Sequence, residues 1–117
     1  MSAPQQSVLD VKTATVSGRG VVQVRGEVDM RTAPGLRDRL LDAAQALSGE
    51  LLIDLSGVDY IDSSGVGTMV YVKREVERAG GRVVLIGLSP RVRGVFEMTR
   101  LDTFFKIVPS VAEADGA

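Results

Sequence analysis

Residues 51–68 read "LLIDLSGVDYIDSSGVGT" and contain the point where a buried strand gives way to a helix. Residues 51–55 are nearly all apolar and too few for a helix, which is typical of a strand covered on both faces. Helical spacing of apolar residues begins near Ser64 and continues to about Ala79. The stretch therefore predicts a central strand whose carboxyl end leads directly into a helix, as in α/β domains.

The segment before this junction predicts a hairpin and a first helix. Apolar and polar residues alternate in 8–12 and again in 21–28, which predicts two strands. The glycines of the intervening "SGRG" favour an antiparallel hairpin. Helical spacing after Asp29 predicts a helix that Thr32 caps and that ends at Gly49 in the left-handed conformation.

The segment after the junction completes the predicted sheet. "RVVLIG" predicts a strand, "SP" the start of another helix, and "FFKIV" a short last strand. The fold class is thus α/β, with one mixed sheet of four to five strands and three to four helices. An antiparallel hairpin forms its amino-terminal part, and β–α crossovers form the rest. We expect one domain over residues 8–114, with flexible ends at 1–7 and 115–117.

Composition excludes several classes of partner. The 117 residues carry a formal net charge of −1, so the sequence has no basic excess for nucleic acid or an acidic membrane. No apolar run is long enough to span a bilayer, and "MSAPQQS" lacks the features of a signal peptide. We therefore expect a cytoplasmic protein that binds neither nucleic acid nor membrane.

The absence of cysteine and histidine excludes much catalytic chemistry. Disulfides, thiol nucleophiles, the usual zinc sites and a Ser-His-Asp triad all require one of these residues. The "GVGT" segment also lacks the lysine of a phosphate-binding loop. We expect no catalytic residue, no metal and no cofactor, and hence a protein that is not an enzyme.

The "DSSG" segment has a structural and a functional interpretation. Asp62, Ser63 and Ser64 can all accept backbone N–H bonds at a helix start, and capping alone would explain one hydroxyl. It leaves the second serine and the glycines at 65 and 67 without a role. Two further alternatives use carboxylates. A phosphoacceptor-aspartate receiver would use Asp54, Asp59 and Asp62 with Lys106, and a carboxylate-based enzyme would use Asp29, Asp54 or Asp62.

A helical wheel from Ser63 divides the following helix into two faces. The sheet-facing side is predicted to contain Val66, Met69, Val72, Val76 and Ala79. The opposite side contains Ser63, Gly67, Val70, Tyr71, Arg74 and Arg78. An outward face that begins with so few charges favours a contact patch, although single exposed apolar residues are common on protein surfaces.

Three segments in order carry a resemblance to a known family. "RGEVDMRTAPGLRDRL", "LLIDLSGVDYIDSSGVGTMV" and "GGRVVLIGLSPRVRGVFEMTRLDTFFKIVPS" resemble the STAS-domain anti-sigma-factor antagonists of bacteria. The likeness extends from about residue 8 to residue 114. Two departures stand out: Val28 replaces a common leucine, and Arg100 stands where the family often has glycine.

The resemblance implies a phosphorylation switch. In the family, the first serine of D-S-S-G, here Ser63, is phosphorylated by a cognate anti-sigma factor that is also a serine kinase, and a serine phosphatase reverses this. The unphosphorylated protein binds that anti-sigma factor and releases the sigma factor. The acid at position 29 is implied to lie beside the phosphorylated serine.

We expect the partner-binding residues to be Asp29, Asp62, Ser64, Gly65, Gly67, Val70 and Tyr71. An alternative is a STAS interaction subunit of a lipid-transport ABC complex or of a sensory scaffold, without a phosphorylation switch.

Overall fold

The computed structural model describes residues 9–115 and contains five strands, three α-helices and one short 3₁₀ turn. In chain order these are β1 (Asp10–Val16), β2 (Arg19–Val28), α1 (Ala33–Ala46), β3 (Glu50–Ile61), α2 (Ser63–Arg78), β4 (Arg82–Ile86), α3 (Pro90–Met98), β5 (Lys106–Val108) and the 3₁₀ turn Val111–Glu113. The predicted order of elements is confirmed.

The strands form one mixed sheet in the order β1-β2-β3-β4-β5. β1 and β2 are antiparallel, and the other neighbouring pairs are parallel. Ser17 and Gly18 join the hairpin with φ values of 53° and 76°. Two positive φ values in a two-residue turn match the right-handed twist of the flanking strands. The predicted fold class and hairpin are both confirmed.

β3 is longer than predicted and extends through Ile61 instead of ending near Leu55. Its second half pairs with β2, whose register shifts between Gln23 and Arg25 and again between Gly26 and Glu27. Such irregularities bend and twist a strand while pairing continues. The polar and glycine-containing "SGVDY" of the sequence therefore belongs to the strand and not to a loop.

All three α-helices contribute to one core on a single face of the sheet. The helical part of this core includes Leu36, Leu40, Val66, Met69, Val72, Val92 and Phe96. A smaller cluster on the opposite face contains Val21, Leu52, Val84, Ile86, Val108 and Ala114, with Val111 packed against it. The chain after β5 thus covers part of the face that the helices leave open.

Several predicted details differ at the ends of elements. Thr32 stands at the start of α1, but its side chain makes no capping bond to the helix. Ala79, predicted to face the sheet, is exposed because α2 ends at Arg78. Gly49 has the predicted left-handed conformation, with φ of 83°. The last strand is shorter than predicted because Phe105 packs edge-on against Phe96, with ring centroids 5.4 Å apart, before β5 begins.

Four charged side chains meet where the parallel strands begin. Glu50 Oε2 lies 3.0 Å from the guanidinium of Arg19 and 2.6 Å from that of Arg82. Asp115 lies 2.6 Å from Arg19 and 3.3 Å from Arg82. Hydrogen bonding from Arg82 lowers the pKa of Glu50 below its usual value. This group, which we call the basal ion cluster, joins β2, β3 and β4 to the end of the described chain.

Asp115 belonged to the carboxyl-terminal segment predicted to be flexible, and it takes part in this cluster. The rest of the predicted flexible ends, residues 1–7 with 116 and 117, lies outside the described residues. Among residues 9–115, no helix combines the length and the apolar character needed to cross a bilayer.

Glu50→Gln is expected to reduce stability at neutral pH and to have less effect in acid. Because the folded-state pKa of Glu50 is lowered, its stabilising contribution is present above the unfolded-state pKa of about 4.3 and is lost as pH falls through the folded-state pKa. Urea unfolding of both proteins at several pH values should give a difference that shrinks below this pH. Asp10→Asn, at an exposed carboxylate with no ion pair in residues 9–115, is the control. A difference that stays constant with pH would contradict the prediction.

Candidate functional site

The junction of β3 and α2 is fixed by Asp62, which has an extended backbone and caps the helix. Its Oδ1 atom accepts the backbone N–H bonds of Ser64 at 2.9 Å and Gly65 at 3.1 Å. Its own backbone N–H donates to the carbonyl of Val28 at 3.2 Å, which holds the start of α2 against the end of β2. Asp62 therefore both begins the helix and joins it to the sheet.

The two serines differ in exposure. Ser63 is the first residue of α2 and is exposed, whereas Ser64 is half-buried. The aspartate performs the capping, so the interpretation in which all three residues cap the helix is not supported. No hydroxyl hydrogen bond of either serine is present within residues 9–115. The Ser63 hydroxyl is therefore accessible to a partner or an enzyme.

The two glycines of this segment have opposite surroundings. A Cβ atom at Gly65 would lie 2.6 Å from Ile61 Cγ1 and 2.7 Å from Val28 Cγ1, so a side chain there would collide with the core. A Cβ atom at Gly67 would meet nothing within 4 Å. Gly65 is buried and so offers no side-chain surface to a partner, although it lets the helix approach the strands. Gly67 leaves an open position on the outward face.

The outward face of α2 continues from Gly67 to an aromatic residue. Tyr71 is 48% exposed, and the guanidinium carbon of Arg37 in α1 lies 5.9 Å from the centre of its ring. Val70 is half-buried and packs against the core, so it lies at the edge of this exposed face. Arg37 was absent from the sequence-based site because a contact between two helices leaves no signal in local spacing.

The turn between β2 and α1 holds Asp29. Its Oδ1 atom accepts N–H bonds from Arg31 at 2.9 Å and Thr32 at 3.2 Å, and its Oδ2 atom accepts a 2.8 Å bond from the Arg31 guanidinium. This guanidinium bond lowers the pKa of the Asp29 carboxyl. Thr32 Oγ1 accepts the Asp29 N–H at 3.0 Å and donates to the Glu27 carbonyl at 2.9 Å. Thr32 therefore orders the turn rather than capping the helix.

The sheet brings these two turns together. Val28 and Ile61 are paired in register, and Asp29 and Asp62 each follow the paired residue of their own strand. Asp29 and the "DSSG" segment therefore follow the ends of adjacent, paired strands. The direct contacts of the Asp29 carboxylate are to Arg31 and Thr32, so its part in partner binding stays a prediction.

Asp54, a candidate in the carboxylate alternatives, does not lie beside Asp62. Asp54 precedes the end of β3 by seven residues, which corresponds to about 20 Å along a strand. Its Oδ1 atom accepts the Ser56 N–H at 2.9 Å, and it lines a hollow of about 260 Å³ with Gln23 and Arg25. The Asp62 carboxylate instead faces the first turn of α2. In residues 9–115, no three Asp, Glu, His or Cys side chains form a group that could hold a metal ion.

Gly65 and Gly67 provide a matched test of this geometry. Gly65→Ala should destabilise the protein by about 1–3 kcal/mol, because the added methyl overlaps Ile61 and Val28. Gly67→Ala should stabilise it by about 0.5–1 kcal/mol, because alanine is the better helix former and the space is open. Urea unfolding measures both. Equal effects of the two substitutions would mean that α2 does not sit on the sheet as described.

Comparison with known proteins identifies the family. The STAS domain model matches residues 10–114. The chain is 36% identical over 86 residues to the anti-sigma-B factor antagonist of Bacillus subtilis, covering 74% of this chain and 78% of that protein. It is 36% identical over 94 residues to the protein of that name from Listeria monocytogenes, covering 80% and 82%.

A solved structure supports the same assignment. The crystal structure of an anti-sigma factor antagonist from Mycobacterium paratuberculosis superimposes with a TM-score of 0.76 at 28% identity, covering 99% of this chain and 97% of that one. With the family model, the two relatives and the arrangement of the sheet in agreement, the chain belongs to the STAS-domain family of anti-sigma-factor antagonists.

Proposed function

We propose that this protein, when unphosphorylated, binds a cognate anti-sigma factor that is also a serine kinase, and that this binding releases a sigma factor. Phosphorylation of Ser63 by that kinase ends the binding, and a serine phosphatase restores it. The observation that carries the proposal is the exposed Ser63 at the first position of α2, whose hydroxyl makes no hydrogen bond within residues 9–115. The relatives named as anti-sigma-B factor antagonists support the class of partner.

The first turn of α2 supports a phosphate that projects outward. Asp62 already accepts the N–H groups of Ser64 and Gly65, and its carbonyl accepts that of Val66 at 3.0 Å. A phosphate on Ser63 would find few free amides on its own helix. It would bring about 1.5–2 negative charges to the surface, beside a carboxylate that is already engaged.

The charge should affect docking more than folding. A negative charge near a helix start is favourable by about 0.3–1 kcal/mol, so the fold tolerates it. An interface that buries the dianion without a cation, or sets it against like charge, would lose several kcal/mol. A penalty of roughly 3–4 kcal/mol corresponds to a loss of affinity on the order of several hundredfold.

We propose that the docking surface comprises the predicted residues that remain accessible around Ser63. Gly67 supplies an open position, and Tyr71 supplies a half-exposed ring held beside Arg37. A rigid aromatic residue next to an arginine is typical of residues that dominate protein interfaces. Asp29, Asp62, Ser64 and Val70 form the surroundings of this surface, and Gly65 acts by fixing the helix beneath it.

Phosphate incorporation tests which serine is modified. With the cognate kinase and ATP, wild type and Ser64→Ala should each gain one phosphate by intact-protein mass spectrometry, and Ser63→Ala should gain none. The two variants are matched in size and differ only in the hydroxyl removed. Undiminished modification of Ser63→Ala would overturn the assignment.

Binding to the same kinase tests the switch. Ser63→Asp should weaken binding by about tenfold or more, whereas the nearly isosteric and uncharged Ser63→Asn should bind much closer to wild type. Because a helix start favours an anion, Ser63→Asp should be at least as stable to urea as Ser63→Asn. Tight binding by a folded Ser63→Asp protein would count against a charge-based switch.

A further inference from the structure

The sheet face opposite the helices becomes polar where β2 and β3 lose their regular register. Gln23 pairs with Asp54 and Arg25 with Gly57, so the register shifts by one residue between the two pairs. Gln23 and Asp54 each lie two residues beyond a member of the smaller apolar cluster and therefore share its face of the sheet. A hollow of about 260 Å³ lies at this shift. Register irregularities redirect side chains and are common beside functional sites.

Four polar side chains line this hollow and leave hydrogen-bonding capacity unused. The lining residues are Gln23, Val24, Arg25, Asp54, Ser56 and Gly57. Asp54 Oδ1 accepts the Ser56 N–H at 2.9 Å, which accounts for one carboxylate oxygen. Within residues 9–115, Asp54 Oδ2 and the Ser56 hydroxyl make no hydrogen bond. The side chains of Gln23 and Arg25 make none either. Donors and acceptors therefore converge on one small space without bonding to one another.

Asp54 is a half-buried carboxylate within β3, the middle strand of the sheet. A charged side chain at such a position is normally paired, because burial removes part of its hydration. Arg25 lines the same hollow, yet the two side chains form no ion pair. A Cβ atom at Gly57 would lie 2.8 Å from Arg25 Cγ, so the glycine lets the arginine stem lie against β3. An acid and a base thus line one hollow without pairing.

The neighbouring strand adds one charge of each sign at the rim of the hollow. Asp10 of β1 is in register with Arg25, and Lys12 is in register with Gln23. Both β1 side chains are exposed, and neither forms an ion pair in residues 9–115. The surroundings therefore favour neither a simple anion nor a simple cation. A ligand with both charges matches them best.

We propose that this hollow binds a small zwitterion of the class of free α-amino acids. The ligand's ammonium group donates to Asp54 Oδ2, and its carboxylate accepts from the Arg25 guanidinium. Gln23 and Ser56 contact its remaining polar groups. The volume of about 260 Å³ suits a molecule of this size, since pockets for drug-sized ligands measure about 300–1,000 Å³. The proposal does not depend on phosphorylation of Ser63.

The test titrates the ¹⁵N-labelled full chain with L-serine. The expected result is a set of chemical-shift changes centred on residues 23–25 and 54–57 that saturates with a Kd of about 1 mM. Two analogues provide matched controls, because ethanolamine lacks the carboxylate and 3-hydroxypropionate lacks the ammonium group. Each should bind about tenfold more weakly or worse, because one charge-assisted hydrogen bond is lost.

Substitutions assign the two ends of the ligand. Asp54→Asn keeps an oxygen for the Ser56 N–H but removes the charge, and Arg25→Gln removes the guanidinium at an exposed position. Each should weaken L-serine binding by about tenfold or more. Asp59→Asn is the control, because Asp59 lies on the same strand without lining the hollow, and it should bind as wild type does. Urea unfolding establishes that each variant is folded.

Three results would overturn the proposal. The first is the absence of saturable shifts around the hollow at L-serine concentrations up to about 100 mM, far above the expected Kd. The second is equal binding of ethanolamine or 3-hydroxypropionate, which would indicate attraction of a single charge. The third is unaltered binding by folded Asp54→Asn or Arg25→Gln protein.

Discussion

The close approach of α2 to the ends of β2 and β3 is the constraint on which the site depends. Gly65 allows it, because any side chain there would overlap Val28 and Ile61. Asp62 then holds the helix start in two ways, through its N–H to the Val28 carbonyl and through its carboxylate to the first-turn amides. Ser63 is the first residue of the helix fixed in this way, and it is exposed. Accessibility of the serine is therefore a consequence of packing and not of a flexible loop.

The charged groups at the opposite end of the sheet lie far from the serine at which we propose that a charge is added. Arg19, Glu50 and Arg82 are the first residues of β2, β3 and β4, and they form the basal ion cluster with Asp115. The 12 residues of β3 separate this cluster from α2 by about 35 Å. Since charges are screened beyond about 8 Å at physiological salt, a charge added at Ser63 would interact only weakly with this cluster. The ion pairs at one end of the sheet and the proposed switch at the other are thus physically separate.

Local patterns in the sequence were sufficient for most of the fold and for the position of the serine. Alternation in β1 and β2, helical spacing in α2, and the residues that start or stop each helix are all encoded within a few neighbours. What failed involved contacts that local spacing does not reveal, most of them between residues distant in sequence. Gly57 belongs to β3 because it pairs with Arg25 across an irregular register, and Thr32 bonds to Glu27 and Asp29 because the turn folds back on itself. The Arg37–Tyr71 contact joins two helices and could not be found from either one.

The space around each glycine shows whether packing in the interior accounts for that residue. Gly65 and Gly81 are enclosed, and a Cβ atom at Gly81 would lie 2.3 Å from the Gly49 carbonyl oxygen, so packing alone accounts for both. Gly67 and Gly94 lie in helices with open space around them, where alanine would be more stable. Departures from local preference that packing does not explain are expected at functional sites. Arg100 is a further departure, because it has a φ of 62° at the end of α3, where glycine is the usual residue.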